Sequence, residues 1–143
     1  MHTLRALAAI LIVALGLSAC SPYVNIPGQR GDTLATHNPN SKYIQEAIVA
    51  ALKAVVTYRP VEGNYQVILP EGTDPATYAS LLPQMGDQAM WSSDGVRQDV
   101  PVYEVKAIRL RGADGEIDIA RPAVGLPDGR TQQLVTVDMK YYV

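Results

Sequence analysis

Apolar residues recur every three or four positions early in the chain, which predicts one long amphipathic helix. The stripe consists of Ile44, Ala47, Ile48, Ala51, Leu52, Val55 and Val56. This spacing places the apolar side chains on one helix face and leaves the other face to polar residues. Asn38-Pro39 predicts the start, because asparagine caps helices and proline suits the first turn. Arg59-Pro60 predicts the end, since a proline disfavours helical backbone in the residue before it.

The pattern beyond residue 60 predicts strands and one short helix. Residues 65–69 are an apolar run that predicts a strand, and Thr73-Asp74-Pro75 predicts the start of a second helix. Alternation of period two then predicts a meander of three antiparallel strands over residues 102–111, 116–121 and 131–143. The phase of the alternation slips near Ala107, which predicts a β-bulge there.

This order of elements predicts an α+β domain over residues 42–143. We expect a long N-terminal amphipathic helix packed on a curved antiparallel sheet, with one early strand, a short second helix and the C-terminal three-strand meander. The order resembles the cone-shaped α+β folds of the nuclear-transport-factor-2 and cystatin types. That resemblance implies a layout only and carries no function.

The first twenty residues have the pattern of an export signal. Arg5 precedes an apolar stretch from Ala6 to Leu17, and the chain's single cysteine follows two small residues. The stretch is shorter than the roughly 20 apolar residues that a membrane-spanning helix needs. Leu17-Ser18-Ala19-Cys20 resembles the lipobox of bacterial lipoproteins. The resemblance implies that residues 1–19 are a signal peptide and that Cys20 becomes the lipidated first residue.

The lipobox resemblance also implies a location. Two or three acyl chains on Cys20 would hold the protein durably on a membrane. Ser21 follows the cysteine where an aspartate would retain a lipoprotein in the inner membrane, so the resemblance implies the outer membrane, facing the periplasm. Residues 20–41 lack an apolar period and are rich in proline, glycine, asparagine and serine, which predicts a flexible tether.

Composition narrows the chemistry. The 12 basic and 14 acidic residues give a net charge of −2, which argues against nucleic-acid binding. Lipidation of Cys20 leaves no thiol, and the two histidines fall in the signal and the tether, so we expect no metal site, no cofactor and no Ser-His-Asp catalysis. Phenylalanine is absent while tyrosine occurs eight times, so buried aromatic residues need hydrogen-bond partners.

One aromatic cluster is a candidate ligand site. Trp91 lies in an irregular stretch near Met85, Met90 and Tyr78. Two interpretations stay open. The cluster plugs the open end of the sheet as core, or it lines an apolar pocket between helix and sheet together with Tyr103.

Charged residues of the meander predict a salt-bridged face. Asp114, Glu116 and Asp118 alternate along one strand and therefore share a face, opposite Arg109 and Arg111. Arg121 and Arg130 could extend this set into a basic rim that meets anionic groups. Glu104 and Asp138 are the strand-borne candidates for acid–base chemistry, and both alternate outward.

These features favour a lipid-anchored protein of the bacterial cell envelope whose domain is a non-enzymatic binding or scaffolding module for another envelope protein. The first alternative is a binder of a small apolar ligand in a pocket formed by Trp91, Tyr78 and Tyr103. The second alternative is a small enzyme that depends on a carboxylate or tyrosine, which would require a buried acid with a perturbed pKa.

Overall fold

A computed structural model describes residues 23–30, 37–97, 99–123 and 131–140. The elements are strand β1 (Tyr23–Ile26), helix α1 (Lys42–Tyr58), strand β2 (Tyr65–Ile68), helix α2 (Pro75–Met85), and strands β3 (Ala89–Met90), β4 (Val102–Arg111), β5 (Asp114–Pro122) and β6 (Gln132–Lys140). In these residues, one six-stranded sheet and two helices make a mixed α+β structure, which confirms the predicted class. No helix of the described residues is long and apolar enough to cross a membrane.

Helix α1 turns its apolar stripe toward the core. Six of the seven stripe residues are buried, and Val56 is half-buried. The helix begins later than Asn38-Pro39 predicts, with Ser41 as its N-cap residue. The side chain of Asn38 instead accepts the backbone N–H of Asn40 at 3.0 Å, in a turn that precedes the helix. Asparagine favours turns as well as caps, which is why its position alone misplaced the helix start.

The sheet is mixed, so the prediction of a wholly antiparallel sheet is wrong. The strand order is β3-β2-β4-β5-β6, and β2 runs parallel to both β3 and β4. Strands β4, β5 and β6 form the predicted antiparallel meander. Helix α2 follows β2 and returns the chain to the same end of the sheet, and such a crossover makes the next strand parallel.

Strand β4 is the centre of the sheet and carries the predicted bulge. Its pairing with β5 shifts register between Val105 and Ala107, which confirms the bulge. The shift leaves Tyr103 and Val105 before the bulge, and Ile108 and Leu110 after it, all buried. The other edge of β4 is divided between β2, which pairs with Val102–Glu104, and β1, which pairs with Ile108–Arg111.

Strand β1 lies inside the segment predicted to be a flexible tether, and that prediction is wrong for these four residues. Val24 and Ile26 join the hydrophobic core, and Asn25 between them is also buried. Four residues provide too few alternating positions to reveal a strand. The strand forms because β4 extends past the end of β2, and its backbone groups there pair with β1.

Candidate functional site

Tyr78 and Trp91, two of the three predicted pocket residues, are in direct contact. Their rings stack with centroids 4.7 Å apart and planes inclined by 19°. Tyr78 is buried on helix α2, whereas Trp91 follows β3 and keeps 38% of its surface exposed. Helix α2 is positioned by Asp74, whose side chain accepts the Thr77 backbone N–H at 2.6 Å, with Pro75 in the first turn.

A buried glutamine holds the loop after Trp91 against the sheet. Gln66 on β2 is only 1% exposed. Its Nε2 donates to the Gly95 carbonyl at 2.8 Å, and its Oε1 accepts the Arg97 backbone N–H at 2.8 Å. Gly95 has φ of 95°, a conformation that favours glycine. The loop and the stacked rings enclose a cleft of about 230 Å³, with Ser92 and Ser93 among its lining residues.

The hydroxyl of Tyr78 is tied to the sheet. Its oxygen accepts the Leu69 backbone N–H at 2.9 Å. Burial raises the pKa of Tyr78, and the negative charge of Glu104 acts in the same direction, while the bond from Leu69 opposes the shift. The phenol therefore stays neutral around pH 7, and the cleft presents an aromatic, uncharged wall.

Tyr103, the third predicted pocket residue, lies in the core and does not line the cleft beside Trp91. It is 1% exposed and meets Tyr65 edge to face, with centroids 5.2 Å apart. Its hydroxyl donates to the Arg59 carbonyl at 3.2 Å. The structure thus brings Tyr78 and Trp91 together and separates Tyr103 from them.

Most of the space between α1 and the sheet is filled by side chains. Ile48 and Leu52 of α1 and Ile108, Ile117 and Ile119 of the sheet are inaccessible to water. A groove of about 290 Å³ remains at one end, where the last turns of α1 face β5 and β6. Its walls consist of Ala54, Val55, Tyr58, Arg121, Val135, Thr136 and Val137.

Arg121 faces this groove and not an exposed basic rim, one of the two arrangements that the sequence left open for it. It is 5% exposed and shares its alternation with the buried Ile117 and Ile119. Its Nη2 donates to Gln133 Oε1 at 2.6 Å. Within the described part of the chain, Nε and Nη1 have no hydrogen-bond partner. The alternation along β5 predicts a buried position for Arg121, whereas its charge favours an exposed one. The sequence interpretation followed the charge.

The predicted salt-bridged face forms around Arg109. Its Nε lies 3.1 Å from Glu116 Oε2 and its Nη2 lies 2.9 Å from Asp118 Oδ2. The hydrogen bonds to Asp118 and then to Glu116 raise the pKa of Arg109. Thr136 on β6 adds a hydroxyl donor to Asp118 at 2.7 Å, so the network joins three strands. Cross-strand pairing is therefore confirmed here.

The remaining charged candidates are spread apart. The Arg111 guanidinium lies 3.7 Å from the centre of the Tyr23 ring. Glu104 is half-buried and forms an ion pair with Lys106 at 2.6 Å, while Asp138 is exposed on β6. The described residues contain no group of three or more histidine, cysteine, aspartate or glutamate side chains that could hold a metal ion.

Cys20, the predicted lipidation site, lies outside the described residues, as do the signal peptide and Arg130. No protein-family model, curated protein or solved structure matches the chain.

Proposed function

We propose that this protein is a lipid-anchored component of the bacterial cell envelope, held on the outer membrane with its domain in the periplasm. The observation that carries the proposal is Leu17-Ser18-Ala19-Cys20, which ends an apolar run and contains the only cysteine. The lipids on Cys20 are its membrane partner. The domain, a long helix packed on a curved sheet, is a non-enzymatic module that binds or scaffolds another envelope protein.

Strand β1 limits the distance between the membrane anchor and the domain. Tyr23, where the strand begins, is the third residue after Cys20. Three residues span at most about 11 Å when fully extended. An anchor at Cys20 therefore keeps the β1 end of the sheet close to the lipid surface, which restricts the orientations in which the domain can meet a partner.

The carboxylates of β4 and β5 support a structural role over acid–base chemistry. Arg109 holds Glu116 and Asp118, and Lys106 holds Glu104. These ion pairs brace neighbouring parts of the sheet, and ion-paired carboxylates are ordinary features of a polar strand face.

The anchor is tested by acylation and fractionation of the full chain in a diderm bacterium. We expect the wild type to incorporate radioactive palmitate and to sediment with outer membranes. Cys20→Ser removes the acylated sulfur, so it should lose the label and the membrane association. Ser21→Ala is the matched control and should behave as the wild type. Membrane association of Cys20→Ser without label would refute the proposal.

A second candidate function is the binding of a small apolar ligand in the cleft at Tyr78 and Trp91. The observation that favours it is the stacked pair, in which a buried ring supports an indole that is 38% exposed. Clefts lined by aromatic side chains that remain partly exposed are typical of ligand-binding sites.

The only tryptophan reports on this cleft directly. We expect N-phenyl-1-naphthylamine to quench Trp91 fluorescence saturably. Ser93→Phe should fill the cleft and weaken the quenching about tenfold or more, as steric exclusion removes the contact area that drives binding. Ser80→Phe places the same ring on an exposed position of α2 and should leave the titration unchanged. Equal quenching in both variants would exclude the cleft as the site.

A further inference from the structure

Arg121 is a buried cation whose hydrogen-bonding capacity is largely unused. A guanidinium carries five N–H donors, three of them on Nε and Nη1. Those two nitrogens have no partner among the described residues, and the single bond of Nη2 goes to the neutral amide of Gln133. Burying a charge without an opposite charge is costly, so an anion bound at these two nitrogens would stabilise the folded protein.

Among the described residues, those around Arg121 do not supply that anion. Gln133 is neutral, and Tyr103 stays a neutral phenol because burial raises its pKa, with Tyr65 adding to the shift and Arg121 opposing it. The groove walls are otherwise valine, alanine, threonine and tyrosine, with no carboxylate among them. Within the described part of the chain, no opposite charge compensates Arg121 in the groove.

The groove combines this cation with an apolar channel. Val55 of α1 and Val135 and Val137 of β6 line it, and Arg121 is the one charged side chain among the described lining residues. A cavity of about 150 Å³ holds benzene, so a groove of about 290 Å³ has room for the eight carbons of octanoate together with its carboxylate. A long acyl chain would extend out of the groove into water.

We propose that the groove between α1 and β6 binds a medium-chain carboxylic acid, with its carboxylate on the Arg121 guanidinium and its acyl chain against the three valines. The planar guanidinium matches a carboxylate, and the hydrogen bonds are strengthened by charge in a site shielded from water. Inorganic phosphate fits less well, because it carries more charge than one guanidinium neutralises and has no apolar part to bury.

Binding requires the rim of the groove to open, since Nε and Nη1 are not exposed to water. We place this opening at Tyr58, a lining residue that is 80% exposed at the end of α1. Rotamer changes of exposed side chains take picoseconds to nanoseconds, so the opening does not limit binding. This site is separate from the Trp91 cleft and does not depend on the membrane anchor.

Calorimetric titration with sodium octanoate at pH 8 tests the proposal. The protein is the full chain carrying Cys20→Ser, which removes the predicted acylation site. We expect saturable binding of one octanoate per chain. 1-Octanol has the same tail without the charge and should bind about tenfold more weakly or worse, as it lacks the charge-assisted hydrogen bonds. Inorganic phosphate should bind more weakly still.

Two kinds of variant locate the site. Arg121→Met keeps the length and apolar stem of the side chain and removes the charge. It should lower octanoate affinity about tenfold or more and raise the thermal unfolding midpoint, because a buried unpaired charge is lost. Ala54→Phe should fill the groove and block binding, while Ala50→Phe, one turn earlier on an exposed position outside the groove, should bind octanoate normally.

The proposal is overturned if the wild type shows no saturable octanoate binding, or if 1-octanol or phosphate binds as tightly. It is also overturned if Ala54→Phe and Ala50→Phe bind octanoate equally. Should Arg121→Met fail to fold, the pair of alanine variants still decides the outcome, since both positions are exposed in the structure.

Discussion

Two buried polar side chains show how differently single residues are used in this protein. Gln66 satisfies both its amide donor and its carbonyl acceptor with backbone groups of the loop after Trp91. Arg121 satisfies one nitrogen, and its other two have no partner among the residues that the structure describes. A satisfied buried group stabilises one conformation, whereas an unsatisfied one costs free energy until a ligand arrives. Gln66 is therefore interpreted as structural and Arg121 as functional.

Replacing Gln66 should release the loop after Trp91. Gln66→Leu keeps the size of the side chain and removes both hydrogen bonds, so we expect a loss of about 1 to 2 kcal/mol in the free energy of unfolding. The measurement is urea denaturation, together with the rate of tryptic cleavage after Arg97, which should rise. Gln84→Leu on the exposed face of α2 is the control. Unchanged cleavage after Arg97 would show that other contacts hold the loop.

At the level of elements, helix α2 is predicted by its own local sequence, whereas strand β1 is not. Asp74 and Pro75 mark the start of α2 through a cap and a first-turn proline, and the structure contains both. Strand β1 has no comparable local signal and exists through its pairing with Ile108–Arg111 of β4. One element is specified by its own residues and the other by a partner that lies about eighty positions along the chain.

Truncation of Ile26 tests whether β1 belongs to the core. Its side chain is 4% exposed, so Ile26→Ala should lower the free energy of unfolding by about 2 to 4 kcal/mol. Val96→Ala, at an exposed apolar position, is the control and should have little effect. Denaturant titration of both variants provides the comparison. An unchanged free energy of unfolding in Ile26→Ala would instead support a flexible tether for this segment.

Removal of the cap tests the start of α2. Asp74→Ala eliminates the acceptor of the Thr77 N–H and should cost about 1 kcal/mol of stability. Asp87→Ala changes an exposed turn residue and serves as the control for the lost charge. Thermal unfolding of the two variants should separate them, and identical midpoints would mean that Pro75 alone is sufficient to start the helix.

At the scale of the molecule, three buried tyrosines among the described residues replace the phenylalanine that the sequence lacks. The hydroxyl of Tyr65 donates to the Met85 carbonyl and that of Tyr103 donates to the Arg59 carbonyl, while that of Tyr78 accepts the Leu69 N–H. The expectation that buried aromatic residues need polar partners is confirmed for these three. Each ring therefore adds apolar area to the core and also ties down a chain segment outside the strands.

These tyrosines make the stability of the protein sensitive to alkaline pH. Burial raises the pKa of Tyr65, Tyr78 and Tyr103 above the usual value. The folded state then holds these protons more tightly than the unfolded state, so this stabilisation is complete below about pH 10 and is lost as the pH rises through the raised values.

Urea denaturation at a series of pH values, together with phenolate absorbance, measures this effect. The free energy of unfolding should fall above about pH 10, and Tyr103→Phe should fall less steeply because one of the three groups no longer titrates. A decline equally steep in Tyr103→Phe and the wild type would assign the effect to other groups.

The sequence by itself determined the features that depend on local spacing. The apolar stripe of α1, the capped start of α2, the bulge near Ala107 and the antiparallel meander all follow from neighbouring residues. The contact of Tyr78 with Trp91 was also predictable, because the two residues lie close together along the chain. Local conformation and alternation are encoded within a few positions, and they need no knowledge of what packs against them.

Only the tertiary structure decided the parallel pairing of β2, the existence of β1, the placement of Tyr103 in the core and the position of Arg121 in the groove. Each depends on a surface that distant parts of the chain build together. Arg121 has the alternation of a core residue and the charge of a surface residue, and a sequence cannot weigh one against the other. The groove between α1 and β6 arises only once those elements pack, and it turns an ordinary strand arginine into a candidate binding site.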